Sequence, residues 1–207
     1  LSVIGIDDMN YKITDSTIDV NNLNILNNNT TGDIDIGSVT VITGLLATLL
    51  TLYGSLSGIS GSDGKNFMLT DTTLDDIASI ISLYNYTTGI VDASSISTIT
   101  EEAASILTLY DQSENIIGLE VVDIILSDTS LTDITVLTDL DISTSGTINA
   151  GSVNVMTGLL ASLLALYDSQ GINGMDATNF ILTDTSINNI SVLNSLDLST
   201  TGSIDAN

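Results

Sequence analysis

Apolar and polar positions along this chain follow a pattern that repeats at a nearly constant interval. A short apolar phrase ending in Ser or Thr and then Asp occurs four times, at Tyr11–Asp15, Phe67–Asp71, Ile124–Asp128 and Phe180–Asp184. A second phrase, in which Gly precedes an apolar residue and then Asp or Asn, recurs at Thr31–Asp35, Thr88–Asp92, Ser145–Asn149 and Thr201–Asp205. Self-similarity at a fixed period, here about 56 residues, is typical of repeat proteins. We therefore predict the end of a preceding repeat at 1–10, three repeats at 11–66, 67–123 and 124–179, and a partial fourth at 180–207.

Each repeat is predicted to contain two strand–helix units. Helical spacing of apolar residues predicts a first helix at Leu74–Leu83 and Leu131–Leu140, and a second, more apolar helix at Val39–Tyr53, Ile96–Tyr110 and Val153–Tyr167. Two strands about 4.8 Å apart advance a repeat by roughly 9.6 Å, which matches helices packed about 8–10 Å apart. The predicted fold is an elongated α/β solenoid with one stacked parallel sheet and rows of helices. An arrangement of strand hairpins and helix hairpins also fits the pattern.

Composition narrows the classes of partner. The chain is 43% hydrophobic with a mean hydropathy of +0.42, which is typical of a folded protein. It has 26 acidic residues against Lys12 and Lys65, no arginine and no histidine, for a net charge of -24. Nucleic acid and anionic membrane surfaces require cationic side chains, so we expect neither as a partner. The most apolar run, 39–53, is too short and too rich in threonine to be inserted in a membrane.

The repeated acidic residues are the candidate site. One series comprises Asp15, Asp71, Asp128 and Asp184, and the other comprises Asp35, Asp92, Asn149 and Asp205. Each lies just before a Ser/Thr-rich step and a predicted helix start, where a side-chain oxygen would cap free backbone amides. The alternative is a row of calcium sites, because Ca²⁺ prefers carboxylate and carbonyl oxygens. Ca²⁺ is thus the candidate cofactor and these aspartates its candidate ligands, with helix capping as the simpler interpretation.

Other repeated side chains suggest packing more than recognition. Tyr53, Tyr110 and Tyr167 could stack on sugars, but one tyrosine at the same helix end in each repeat more often packs between neighbouring units. The pairs Thr70/Thr72 and Thr183/Thr185 are similar to ice-binding ladders, although the expected spacing of like strands, about 10 Å, is sparse for that use. Without histidine, cysteine or arginine the usual triads, thiol sites and zinc sites are absent, so we predict that the chain is not an enzyme.

The middle repeat carries a family resemblance. Its stretches 70–77 (TDTTLDDI) and 87–100 (TTGIVDASSISTIT) resemble the tandem repeats of very long acidic bacterial surface proteins, including the giant cell-surface proteins of marine cyanobacteria. The resemblance extends over essentially the whole chain. It implies an extracellular location on the bacterial cell surface, with roles in surface coats, adhesion or motility in calcium-containing media. The glycine expected after the threonine of the second predicted helix is matched by Gly44 and Gly158, whereas Glu101 stands there in the middle repeat.

Together these features predict a non-enzymatic structural segment of a long extracellular repeat protein: a spacer, fibre or adhesin stalk that calcium could stabilise. The predicted partners are neighbouring repeats of the same chain, end-to-end copies, and surface glycans. Two alternatives stay open, a surface-binding module for glycans, a host surface or ice, and a self-assembling filament subunit.

Overall fold

The computed structural model describes residues 7–206, and within that range short parallel strands alternate with α-helices. The helices are α1 (Val20–Asn28), α2 (Leu46–Tyr53), α3 (Ile77–Tyr84), α4 (Ala103–Asp111), α5 (Thr135–Ser143), α6 (Leu160–Tyr167) and α7 (Ile190–Ser199). The strands are β1 (Tyr11–Lys12), β2 (Thr17–Asp19), β3 (Ile34–Asp35), β4 (Val41–Gly44), β5 (Ile59–Ser60), β6 (Asn66–Leu69), β7 (Thr73–Leu74), β8 (Val91–Asp92), β9 (Thr98–Glu101), β10 (Ile116–Ile117), β11 (Asp123–Leu126), β12 (Ser130–Leu131), β13 (Ile148–Asn149), β14 (Val155–Gly158), β15 (Ile172–Asn173), β16 (Asn179–Leu182) and β17 (Ile204–Asp205). The predicted α/β class is confirmed. The predicted end of a preceding repeat, 1–10, lies for the most part outside the described residues.

The described residues form two compact units, each with two parallel sheets. The first unit holds the residues up to Thr72 with Asp76–Ile96 and Ser113–Leu119, and its sheets have the orders β1-β3-β5 and β10-β8-β6-β4-β2. The second unit holds Thr73–Asp75, Ser97–Gln112 and the residues from Glu120 onward, and its sheets have the orders β15-β13-β11-β9-β7 and β12-β14-β16-β17.

The prediction of one sheet shared by the strands of every repeat is wrong. In the first unit, Ile42 pairs with Ile18 on one side and with Phe67 on the other. The chain thus returns to the same sheet after 24 or 25 residues, which is less than half of the sequence period of about 56 residues. Most strands that are neighbours in sequence, such as β3 and β4, consequently lie in different sheets, whereas β16 and β17 pair with each other. We call each such return a coil.

The predicted second helices are also partly wrong. Their first halves are the strands β4, β9 and β14, and the helices begin only at Leu46, Ala103 and Leu160. The β-branched residues Val41, Ile42 and Thr43 favour an extended chain, and only Ile42 of these three is fully buried. The first helices are shifted as well, because Leu74 and Leu131 end the strands β7 and β12.

The core consists of apolar ladders. One ladder in the first unit contains Ile42, Phe67, Val91 and Ile116, paired strand to strand and all buried. The helices add residues three positions apart, such as Leu160, Leu163 and Leu166 in α6. Each such side chain contributes about 1.5–3 kcal/mol by leaving water. No helix within residues 7–206 has the length and apolar character needed to cross a membrane.

Candidate functional site

The first aspartate series lies where four-residue strands end. Asp71, Asp128 and Asp184 follow β6, β11 and β16, and all three are half-buried. In each case one carboxylate oxygen, Oδ2, accepts a hydrogen bond from the first amide of a helix. The pairs are Asp71 with Leu46 N (2.8 Å), Asp128 with Ala103 N (2.7 Å) and Asp184 with Leu160 N (2.7 Å). The capped amides precede the aspartates by 24 or 25 residues, so each carboxylate caps the helix of the previous coil (α2, α4 or α6) and not the following helix.

These three helices have no side-chain cap of their own. Their N-cap residues are Leu45, Glu102 and Leu159, and none of them makes a side-chain cap hydrogen bond. The first amides of a helix need acceptors, and a carboxylate also interacts favourably with the positive end of the helix dipole. Asp15, the remaining member of the series, is exposed, and no helix precedes it among residues 7–206.

The alternate helices are capped locally. Asp19 accepts from Asn21 N (2.8 Å) before α1, and Asp76 accepts from Ser79 N (3.0 Å) before α3. Before α5 and α7 the corresponding interactions are Thr135 N to Asp133 (3.0 Å) and Val192 N to Asn189 (3.3 Å). The four capping residues recur with the period of the sequence. That periodicity was the signal that could have identified them before the structure.

Hydroxyl donors strengthen two of these local caps. The Ser79 hydroxyl and amide lower the pKa of Asp76, and the Thr135 hydroxyl and amide lower the pKa of Asp133. Both carboxylates are thereby held in the charged form that a helix N-terminus favours.

The second aspartate series makes turns. Asp35, Asp92 and Asn149 each accept from the backbone amide two residues later, at Gly37 (2.8 Å), Ser94 (3.0 Å) and Gly151 (2.9 Å). These are Asx turns, in which the side chain imitates a backbone turn. The predicted helix capping is wrong here because a strand follows each turn. The Gly37 amide lowers the pKa of Asp35, and Lys12, with its Nζ 3.5 Å from the carboxylate, adds to that effect. Asp205 is exposed at the end of β17.

A threonine just before the second phrase joins one coil to the next. Each hydroxyl donates to a carbonyl 21 or 22 residues earlier and accepts from the amide of the glycine two residues later, an arrangement we call the Thr–Gly clamp. The hydrogen bonds of the four clamps are 2.5–3.0 Å long. The threonine, its carbonyl acceptor and its amide donor are Thr30, Met9 O and Gly32 N; Thr87, Lys65 O and Gly89 N; Thr144, Val122 O and Gly146 N; and Thr200, Thr178 O and Gly202 N. A Cβ on any of these glycines would overlap the same carbonyl group.

A second clamp uses the residue before the first phrase. The Oδ1 atoms of Asn10, Asn66, Asp123 and Asn179 accept from the amides of Asp33, Ile90, Thr147 and Ser203 at 2.7–2.9 Å. The Thr147 amide and hydroxyl lower the pKa of Asp123. Sequence reasoning missed both clamps, because each joins residues that are far apart in the chain.

The two lysines lie in different environments. Lys12 is exposed beside Asp35, whereas Lys65 is buried and its Nζ donates to Val39 O at 2.6 Å. In the second unit Thr178 is at the corresponding position, and its hydroxyl donates to Val153 O at 2.9 Å. Lys65 therefore performs a structural task that a neutral hydroxyl performs elsewhere in the chain.

The tyrosines mainly contribute to packing. Tyr53 is buried, its ring lies 4.8 Å from that of Phe67, and its hydroxyl donates to Ser62 O. Tyr110 and Tyr167 are half-buried. Burial raises the pKa of all three tyrosines. The threonine pairs Thr70/Thr72 and Thr183/Thr185 are exposed, but they lie after β6 and β16 and not on a strand face.

No group of three or more acidic, histidine or cysteine side chains that could hold a metal ion occurs among residues 7–206. Asp71, Asp128 and Asp184 of the first series bind helix amides, and Asp35, Asp92 and Asn149 of the second series bind turn amides. The fold therefore brings these six side chains to backbone donors.

One apolar patch departs from the repeat. Met68, Ile90 and Ile117 are each about 40% exposed, and with Val41 they line a shallow groove of about 170 Å³ in the first unit. The corresponding positions of the next repeat hold Ile125, Thr147 and Asn173. Two of these three residues are polar, so the fold does not require the apolar patch.

Comparison with protein-family models, with curated proteins and with solved structures finds no match to this chain.

Proposed function

We propose that this chain is a non-enzymatic structural segment of a long extracellular repeat protein of a bacterial cell surface, where it acts as a spacer, fibre or adhesin stalk. In this proposal the coils stack into an elongated solenoid. The structural repeats of that solenoid correspond to the sequence repeats of about 56 residues. The observation that carries the proposal is the use of the repeated polar side chains, which join one coil to the next.

The clamps and caps support a mechanical role. Thr–Gly clamps occur at four equivalent positions, and caps from the next coil occur at three. A catalytic group is expected once in a chain, whereas these groups recur with the repeat. Their carboxylates and hydroxyls are engaged with the backbone, so each repeat adds the same kinds of connection between coils.

The elongated shape can be tested by small-angle X-ray scattering. A compact globule of this length has a radius of gyration of about 17 Å. We expect a clearly larger value and a particle length that does not change with protein concentration. A radius near that of a globule would contradict the solenoid and the stalk role, and a length that grows with concentration would favour the filament subunit.

The stalk role needs a mechanical test as well. A chain tethered at both ends in a force spectrometer should resist load and then unfold in steps of whole coils. Gradual extension without a force peak would contradict a load-bearing segment. Threonine-to-valine substitution at Thr87 and Thr144 should lower the force, since it removes two clamps.

Cations from the medium are part of the proposal. The net charge of -24 destabilises the folded chain by self-repulsion, which cations relieve. A thermal melt with millimolar Ca²⁺, compared with Mg²⁺ at equal ionic strength, separates two mechanisms. An equal rise for both ions indicates screening. A rise selective for calcium indicates sites in the folded state, with the aspartate series as the first place to look.

The second candidate is a surface-binding module, which the Met68–Ile90–Ile117 patch favours. Ile90→Thr and Ile117→Asn would introduce the residues of the corresponding positions in the second unit. If the patch binds glycans, a host surface or ice, these substitutions should abolish binding at unchanged stability. Ile125→Thr, on a strand of the second unit, is the matched control and should leave binding intact.

A further inference from the structure

The helices of the described chain are capped in two different ways, and the two ways alternate along the sequence. The local caps, such as Asp76 on α3, lie within three residues of the amides that they bind. The caps of α2, α4 and α6 come from the next coil, 24 or 25 residues later. The two kinds differ in which part of the chain must be folded for the helix to be capped.

In an array of repeats, stability is a sum of intrinsic terms and terms for neighbouring interfaces. A local cap stabilises its own helix whether or not the next coil is folded. A cap from the next coil stabilises the helix only while both coils are folded, so its free energy belongs to the interface. Large interface terms make neighbouring coils open together.

The helices capped from the next coil have no N-cap residue of their own that could replace the aspartate. Leu45 and Leu159, which occupy the N-cap positions of α2 and α6, are about half exposed at 48% and 52%. An exposed N-cap is a position where Asp, Asn, Ser or Thr is strongly preferred. In α4 the N-cap residue Glu102 also makes no side-chain cap bond. Each of the three helices thus depends on the aspartate of the following coil.

We propose that Asp71, Asp128 and Asp184 are coupling residues, which link the folding of one coil to that of the next by placing the helix cap across the interface between them. The proposal goes beyond the structural role above and holds whatever the chain binds. It predicts that α2 and β6 open in a single step, since opening of β6 removes Asp71 from the N-terminus of α2.

The test is native-state amide hydrogen exchange on the full chain at increasing urea concentration. Asp71→Ala should lower the protection of the α2 amides by about fivefold, the usual effect of losing a cap. The amides of α3, the helix that follows Asp71 in sequence, should keep their protection. A drop in α3 with no change in α2 would overturn the assignment.

A double variant distinguishes coupling from simple stabilisation. Leu45→Asp with Asp71→Ala moves the cap of α2 from the next coil to its own N-cap. We expect protection of α2 to be restored, while α2 and β6 now open separately, with different urea dependences. If the two segments still open together, the coupling does not come from the cap and the proposal is wrong.

Three further variants complete the design. Asp76→Ala, the matched control, removes a local cap and should lower protection of α3 without separating α2 from β6. If Asp71→Ala does not fold, Asp71→Asn takes its place, because the amide oxygen can still accept from Leu46 N. The protection of the α2 amides in Asp71→Asn should then be lower than in the wild type. Asp128→Ala removes the equivalent cap from α4, and wild-type protection of the α4 amides in that variant would contradict the proposal.

Discussion

At the residue scale, single side chains of this protein satisfy two backbone groups at once. The Thr144 hydroxyl donates to Val122 O and accepts from Gly146 N, and Thr144 is buried. A buried backbone group without a partner costs free energy comparable to a lost hydrogen bond. The small, branched threonine and the glycine two residues later therefore form one structural unit.

Thr144→Val should test this unit. Valine keeps the shape of threonine but removes both hydrogen bonds, so we expect the free energy of unfolding to fall by about 1–3 kcal/mol. Thr144→Ser, which retains the hydroxyl, should lose less. Urea denaturation of both variants measures the difference, and equal losses would show that the methyl group matters more than the hydroxyl.

Gly146→Ala tests the other half of the clamp. The added Cβ would overlap the Val122 carbonyl, so the backbone must shift at a cost of about 1–3 kcal/mol. Gly202→Ala should behave alike, because its Cβ would meet Thr178 O in the same way. A stability equal to that of the wild type for either variant, measured by thermal melting, would argue against the close approach of the two coils.

At the element scale, the short helices of this chain are not stable alone. Helix α2 has eight residues, whereas isolated helices shorter than about 12–15 residues are marginal in water. Its stability comes from the buried Leu46, Leu49 and Leu52 and from the Asp71 cap. Elements of this kind therefore depend on neighbouring elements for their stability.

We predict that the chain loses stability in acid because the local caps Asp76 and Asp133 become protonated. The effect should be visible when salt screens the repulsion between carboxylates. The pKa of Asp76 is lower in the folded chain than its usual value of 3.8, because of the Ser79 hydroxyl and amide. The unfolded chain then binds more protons near pH 4, so this contribution is present above that pH and is lost as the pH falls through the folded pKa. Asp133 acts in the same direction.

The measurement is urea unfolding between pH 5 and pH 2 in 1 M NaCl, which suppresses the repulsion that protonation would also relieve. Asp76→Asn should make the loss of stability less steep, since asparagine does not titrate. An unchanged slope in this variant would mean that Asp76 carries no acid-sensitive stability.

At the scale of the whole molecule, the dominant property is charge. The chain carries 26 acidic residues against two lysines, and one of the lysines is buried. Long-range repulsion among exposed carboxylates opposes a compact state, and it decreases as salt shortens the screening length from about 10 Å at 0.1 M to about 3 Å at 1 M.

The melting temperature should accordingly rise as NaCl is increased from 0.05 M to 1 M at pH 7. A neutral osmolyte at equal osmolality is the control, since it changes exclusion from the surface without screening charge. A rise of the same size with the osmolyte would show that repulsion is not the main opposing term.

The sequence by itself determined the period, the α/β class and the positions of the repeated aspartates, because local propensity and apolar spacing are properties of neighbouring residues. It could not show that the run 39–53 divides at Leu45, since the same apolar residues suit a strand and a helix. Nor could it show that the sequence period spans more than two coils.

Only the tertiary structure decided what the repeated side chains bind. Asp71 precedes one helix in sequence and caps another, because parallel pairing places the end of β6 beside the start of α2, 25 residues earlier. The Thr–Gly clamps were hidden for the same reason, since their partners are about 22 residues apart. Which donor meets which carboxylate depends on the length of a coil, and that length is set by the stacking of strands and not by local preference.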